Sequence, residues 1–329
     1  MIEILSTGGL TTVQDSGRRG FRRYGVGISG PLDGLAALVG NLMVENAANA
    51  AFLEVVIFPL RMQFKQTARI AVTGSDVQMD VDGRRFPPWW SVVVEAGQTV
   101  TLRASDGGGV GYVCVAGGID VPEVLGSRCT DLKAHFGGLD GRTLRKGDSL
   151  PFFAARAPSS ARAYGVLPPC AGVPAPSTKQ ELQNMTTVVR VVPAAQWESF
   201  SASTREQFLA CEWLITPDSN RIGMRLSGAP DIKPEERVEL LSHGIVPGVV
   251  QIPPHGQPIV MQCDAQTAGG YPKMATVIAA DMWRLAQTPI GSRLRFQCTS
   301  MQDALVANGE VQAYLARVTR AVELLFQET

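Results

Sequence analysis

Histidine is scarce in this chain. His135, His243 and His255 are the only three among 329 residues, and none stands at metal-ligand spacing from another, so no histidine-built metal centre is expected. The six cysteines, Cys114, Cys129, Cys170, Cys211, Cys263 and Cys298, form no C-x-x-C pair. That excludes the usual zinc and disulfide frameworks, and most of them read as small core hydrophobes. Net charge is absent too: 30 Lys and Arg balance 30 Asp and Glu, so no overall field draws the chain to nucleic acid or to an anionic membrane. Small molecules and other proteins are the expected partners. No apolar run approaches the roughly 20 residues that span a bilayer, and the opening MIEILSTGGL lacks a basic segment followed by an apolar one. A soluble, cytoplasmic protein is the expectation. There is no G-x-S-x-G and no Walker phosphate loop, which disfavours serine-hydrolase acyl transfer and P-loop chemistry.

What is present is β-rich patterning. In the first half, RIAVTG, DVQMDVDGRR, WWSVVVEAGQTVTLRA and VGYVCVAGG recur between turn signals, and Asp82-Gly83 between alternating runs predicts a hairpin. Evenly spaced short strands predict a barrel or sandwich rather than a parallel βαβ sheet. One helix interrupts them: Leu35, Leu38, Val39, Leu42 and Met43 recur at helical spacing, with Pro31 suited to a first turn. The second half repeats the pattern with VVRVVP, EWLITP, IGMRLSG, PGVVQIP, PIVMQC and SRLRFQC, and Asp281 is placed to cap a short helix over ADMWRLAQ. The expected organisation is a first β-barrel module over 1–153, a Pro/Ala/Ser-rich linker over 154–187, a second β-barrel module over 188–298 and a C-terminal helix over 299–329. Val311, Leu315, Val318, Val322 and Leu325 form the stripe of that helix, docked on its own module or on a partner.

Several runs are too rich in glycine and fixed polar groups for ordinary barrel wall. TTVQDSGRRGFRRYGVGISGPLDG brings together Gln14, Asp15, Arg18, Arg19, Arg22, Arg23, Tyr24 and Ser29; clustered arginines beside glycines suit a carboxylate or phosphate, and they equally make a solvated basic loop. In TPDSNRIGMRLSG, Ser219, Asn220 and Arg221 either orient a planar amide or form turn chemistry. The densest run is DAQTAGGYPK, residues 264–273. Asp264 is suited to accept a proton, Gln266 to orient an amide and Lys273 to neutralise charge developing on an oxygen, although the same residues also suit a structural hairpin. His243 and His255 stand alone, and each reads as a satisfied or surface histidine.

In order along the chain, GLTTVQDSGRRGFRRYGVGISGPLDGLAALVGNLMVEN, AVTGSDV, VAGGIDVPEVLGSRCTDLKAHFGGLDGRTLRKGD, TPDSNRIGMRLSG and SHGIVPGVVQIPPHGQPIVMQCDAQTAGGYPKMATVI resemble the hallmark segments of the biotin-dependent carboxyltransferase family, also called allophanate hydrolase subunit 2 or the KipA type. The resemblance runs from Gly8 to about Cys298 and leaves the tail outside it. It implies a mainly β fold of two cyclophilin-like β-barrel modules with a few helices. It also implies a site lined by Asp264, Gln266, Thr267, Gly269, Gly270, Tyr271 and Lys273, with Gln14, Asp15, Tyr24, Ser219, Asn220 and Arg221 as supporting contacts and no metal. Where the family run carries a second threonine this chain has Ala268, so one hydroxyl is missing.

The resemblance implies one component of an assembly rather than a whole enzyme. Relatives include the C subunit of the bacterial ATP-dependent 5-oxoprolinase, which hydrolyses 5-oxoproline to glutamate together with A and B subunits, the latter of the allophanate hydrolase subunit 1 (KipI) type; ATP is then needed at the level of the complex. The chain shows no A-M-K-M biotinylation context and no fused first half, which favours that reading. Two alternatives stay open: the carboxyltransferase half of a urea or amide carboxylase, served by carboxybiotin on a partner, and a non-catalytic KipA-type regulator.

Overall fold

The computed structural model describes residues 1–104, 109–155, 162–169, 181, 184–236 and 240–327. The chain forms two compact units, one of Met1–Arg19, Ser29–Ser177 and Gln312–Thr329, the other of Gly20–Ile28 and Thr178–Val311. Most of the expected linker at 154–187, with Cys170, lies outside the described residues.

In the first unit two six-stranded sheets share one core. One runs Ser149–Leu150, Ile2–Thr7, Leu60–Phe64, Thr99–Ala104, Val77–Val81, Arg84–Phe86; the other runs Tyr164–Gly165, Trp90–Val94, Ala68–Gly74, Gly111–Val115, Phe52–Val55, Thr11–Gln14. Alternation sends Ile2, Ile4, Met62, Leu102 and Met79 from the first sheet against Ile70, Val72, Val92, Val113 and Leu53 from the second. The hairpin forms at Asp82-Gly83, where both residues take positive φ (47° and 90°), as a two-residue turn with the strands' twist requires.

The second sheet is buried on both faces, because the helix Gly34–Leu42 covers its other side, where Ala71, Cys114, Tyr112 and Phe52 point. This explains the unbroken burial of Ala68–Gly74 and Gly111–Val115. The helix starts later than Pro31 predicts, since Asp33 Oδ1 accepts from Ala36 N at 2.9 Å and sets the cap there. Its closest face is built of small residues: a Cβ on Gly40 would lie 2.7 Å from Cys114 Sγ. The last part of the C-terminal helix belongs to this unit, with Tyr314, Leu315, Val318, Val322 and Phe326 on the same cluster; Leu325, expected on that stripe, is exposed.

The second unit is a closed seven-stranded barrel, in the order Thr186–Pro193, Lys273–Val277, Val249–Gln251, Ile259–Met261, Gly223–Ser227, Trp213–Ile215, Arg293–Cys298. Closure is made by the parallel pairing of Thr186 through Val191 with Arg293 through Cys298; the remaining pairs are antiparallel. The helix Ala202–Ala210, with no counterpart in the sequence reading, is capped by Ser201 and plugs one side of the core: Phe208 stacks on Phe296 with centroids 4.6 Å apart. Asp281 does stand at the start of the helix Met282–Gln287, but makes no cap bond. Its carboxylate instead accepts from Arg190 N, Nε and Nη2 at 2.8, 2.9 and 2.6 Å. The first turns of the C-terminal helix, Met301–Gln327, set Ala304, Ala307 and Val311 against Ile278, Ala280 and Val192.

Candidate active site

The DAQTAGGYPK run crosses one end of the barrel of the second unit. Ala268–Gly269 pairs antiparallel with His243–Gly244, with His243 opposite Gly269 and Gly244 opposite Ala268, as a two-stranded ladder outside the barrel order. The run then enters the barrel as Lys273–Val277, where Lys273 stands opposite Gln251 at a slip in register. The ladder is tied down at Ile245 N to Thr267 O (2.9 Å) and at Ile252 N to Pro272 O (2.9 Å). Ile245, Val249, Met261 and Ala265 form a small apolar cluster beneath it.

Lys273 is the central cation. Its side chain is buried and its ammonium donates to the Gly244 carbonyl. Burial holds its pKa below the ordinary lysine value. The Lys273 backbone is clamped by Gln196, whose Oε1 accepts from Lys273 N at 3.0 Å.

Asp264 is committed to Arg221. Nε meets Oδ2 at 2.8 Å and Nη2 meets Oδ1 at 3.0 Å, with both side chains nearly buried, and Asp264 N donates to Arg221 O at 2.9 Å. A fork-on-fork pair of this kind fixes two loops 43 residues apart and leaves the carboxylate acting as an anchor. Ser219 and Asn220 serve the same turn: Ser219 Oγ accepts from Arg225 N at 2.9 Å, and Asn220 Oδ1 accepts from Ile222 N at 2.9 Å and Gly223 N at 3.3 Å.

Around the ladder, Gln266 and Thr267 are half-buried and Tyr271 is exposed. Gly270 leaves no room for a side chain, its Cβ position lying 3.0 Å from Leu240 O. The segment Gly20–Ile28 packs on the same run, with the Cβ position of Gly27 3.6 Å from Ala265 O. It carries Tyr24, exposed and covered by the Arg23 guanidinium at 4.8 Å.

Gln14 and Asp15 have their partners inside the first unit. Gln14 Nε2 donates to Thr12 Oγ1 (3.0 Å) and Thr130 O (3.2 Å). Asp15 accepts from Gly17 N (2.9 Å), Ser127 Oγ (2.9 Å), Arg128 N (2.5 Å) and Cys129 Sγ (2.8 Å). Burial first, then the Asp15 charge, pushes the Cys129 thiol up to about 12, which makes it inert. Among the described residues no cluster of three or more His, Cys, Asp or Glu side chains is arranged to hold a metal ion.

Two residues near the run gain weight that sequence did not give them. Gln251, only 2% exposed, has no hydrogen-bond partner for Nε2, and His243 has none for Nε2. The available signal was a glutamine in the otherwise apolar strand Val249–Gln251, whose three residues are all buried.

One end of the barrel thus carries a buried ammonium, a carboxylate-anchored loop and amide side chains. The model of the carboxyltransferase domain, subdomain A and B, matches residues 24–298, and the chain belongs to that family. It is 40% identical over 318 residues to the C subunit of the 5-oxoprolinase of Escherichia coli K12, covering 97% of each chain. The corresponding 5-oxoprolinase C subunit of Haemophilus influenzae is 36% identical over 323 residues, covering 98% of this chain and 99% of that one. Among solved structures, the Kluyveromyces lactis urea amidolyase superposes with a TM-score of 0.85 at 26% identity, over 96% of this chain and 20% of that much longer one. No described helix is long and apolar enough to cross a membrane.

Proposed function

We propose that this chain is the C subunit of a 5-oxoprolinase, which opens 5-oxoproline to glutamate at the expense of ATP together with A and B subunits. The observation that carries the reading is the end-to-end identity with two proteins of that name, 40% over 97% of both chains in one case. Lys273 would stabilise charge on the lactam oxygen, leaving the Gly244 carbonyl to do so. Gln266 and Thr267 would contact the ring, and Gly269 and Gly270 would let it approach the backbone. Asp264, through Arg221, would hold the loop that shapes the mouth, with Ser219 and Asn220 closing its turn.

Opening a lactam needs its oxygen activated; in the complex ATP would supply this by passing its γ-phosphoryl group to that oxygen with release of ADP, after which one water would add to the carbonyl carbon as the C–N bond breaks and a second would release the phosphate, leaving glutamate. At this end of the barrel Arg221 is engaged with Asp264 and Lys273 with a carbonyl, a donor set that suits one amide oxygen better than a triphosphate. The exposed Leu241, Val246 and Tyr271 beside the ladder offer an apolar rim on which the B partner would dock.

The likeness to urea amidolyase supports a second reading, a split carboxyltransferase acting on urea or another amide. The ureido ring of carboxybiotin presents the same N–C=O unit, and the same residues would hold it. One assay separates the two: ATP-dependent formation of glutamate from 5-oxoproline by this chain mixed with its A and B partners, each omitted in turn. Activity that requires all three supports the oxoprolinase; a silent mixture together with a co-purifying biotinylated protein supports the carboxyltransferase.

A further inference from the structure

The polar groups facing Gly269 include one donor and one acceptor without partners. In an antiparallel ladder, residues directly opposite each other project to the same face, so His243 projects to the face on which Gly269 has no side chain. That position is closely lined: a Cβ built on Gly269 would lie 2.7 Å from Ile245 Cδ1, 3.3 Å from Gln251 Nε2 and 3.6 Å from Gln266 Nε2, so the end of the Ile245 side chain must swing aside for anything to enter. His243 Nδ1 donates to Leu241 O at 3.0 Å, which leaves the lone pair of the neutral ring on Nε2. That nitrogen is shut off from solvent and accepts from nothing; Gln251 Nε2 is equally enclosed and donates to nothing.

Unpartnered buried atoms also occur in the first unit, at Gln14 Oε1 and Arg18 Nη1, but here an acceptor and a donor share one small face beside the Lys273 ammonium, where one ligand can supply both complements. A cis amide within a ring does so, showing an N–H and a C=O side by side. Resting on the oxoprolinase reading, we infer that His243 and Gln251 are the amide-reading pair of the site: His243 Nε2 accepts the lactam N–H and Gln251 Nε2 donates to the lactam oxygen, next to the Lys273 ammonium on Gly244. The ligand class is a small cyclic amide or urea. Its ring edge would come against Gly269 once the end of the Ile245 side chain swings aside.

The test uses the three-protein complex with 5-oxoproline as substrate and 3-oxocyclopentane-1-carboxylate, in which CH2 replaces N–H, as competitive inhibitor. His243→Leu and Gln251→Leu are each expected to lower kcat/KM for 5-oxoproline about 10- to 100-fold. Because the inhibitor keeps the carbonyl and lacks the N–H, His243→Leu should leave its inhibition constant within about threefold, whereas Gln251→Leu should weaken it about tenfold or more. His243→Gln, which returns an acceptor oxygen, should recover part of the lost activity. Gln251→Glu, which keeps the shape and removes the donor, should behave as Gln251→Leu and guards against a packing defect. Equal weakening of substrate and inhibitor by His243→Leu, or unchanged kinetics in both leucine variants, overturns the pair while the oxoprolinase reading stands. A wild-type complex that forms no glutamate overturns that reading, and the inference falls with it.

Discussion

As sequence, Gln14–Arg19 of the first unit and Asp264–Lys273 of the second are alike: each mixes an aspartate, a glutamine, a hydroxyl and a basic residue with glycine. As structure they diverge. Asp15 collects four donors from its own unit, and the fully buried Arg18 donates to Val124 O and Cys129 O, both at 2.9 Å, with its guanidinium 4.5 Å from the Phe136 ring. That run is a clamp, stitching the first strands to the loop at 121–137. In the second run only Asp264 is used that way. Lys273 holds a single backbone carbonyl, and the nearby Gln251 amide nitrogen holds nothing. Unpartnered atoms alone do not separate the two runs, since Gln14 Oε1 and Arg18 Nη1 in the first are also buried without a hydrogen-bond partner; the difference is that the first run's carboxylate and guanidinium stitch loops of one unit together, whereas the second run sets a buried ammonium at one end of a barrel.

The comparison breaks first at Asp264. Asp264→Ala strands the nearly buried Arg221 guanidinium and should cost about 3–5 kcal/mol of stability, read as a lowered denaturant midpoint. An unchanged midpoint would show that Asp264 is not an anchor. Gly269→Ala comes next: its methyl would press on Ile245 Cδ1 (2.7 Å) and crowd Gln251 Nε2 (3.3 Å), and KM for 5-oxoproline in the complex should rise roughly tenfold, about 1.4 kcal/mol.

The pH profile sharpens the role of Lys273. Burial disfavours its charged form, so activity that needs the ammonium should fall as pH rises through a pKa below that of a free lysine. Stability runs the other way. Between the lowered native pKa and the ordinary one, the unfolded chain binds more protons, so the contribution of this group to stability rises with pH, and Lys273→Met should flatten that slope in thermal melts. The smallest effect is expected in the clamp: Ser127→Ala removes the Ser127 bond to Asp15 and the one that Ser127 accepts from Cys129 N, should cost about 1–2 kcal/mol, and should leave activity per folded molecule unchanged.

Much of this was legible. Period-two alternation marked the long strands, Asp82-Gly83 marked its hairpin, and the glycine-rich run drew attention to Lys273. What escaped has physical reasons. Two-residue strands such as His243–Gly244 and Ala268–Gly269 are too short to show a period. The pairing of Arg221 with Asp264 and the parallel closure of Thr186–Pro193 on Arg293–Cys298 join positions far apart in sequence, which local pattern does not encode. Asp281 looked like a helix cap because Asp is a good cap; a guanidinium within reach competed for the same oxygens and won. His243 looked ordinary because its distinction, a solvent-excluded acceptor set by a backbone carbonyl, exists only after folding.

The most direct test is glutamate formation from 5-oxoproline by a fully assembled three-protein complex in which this chain carries Lys273→Met. An assembled complex retaining about 1% or less of the wild-type turnover would support a site at this end of the barrel, as expected when the group that stabilises a developing oxyanion is removed. An assembled complex with wild-type turnover would contradict it and move the chemistry to one of the partner proteins.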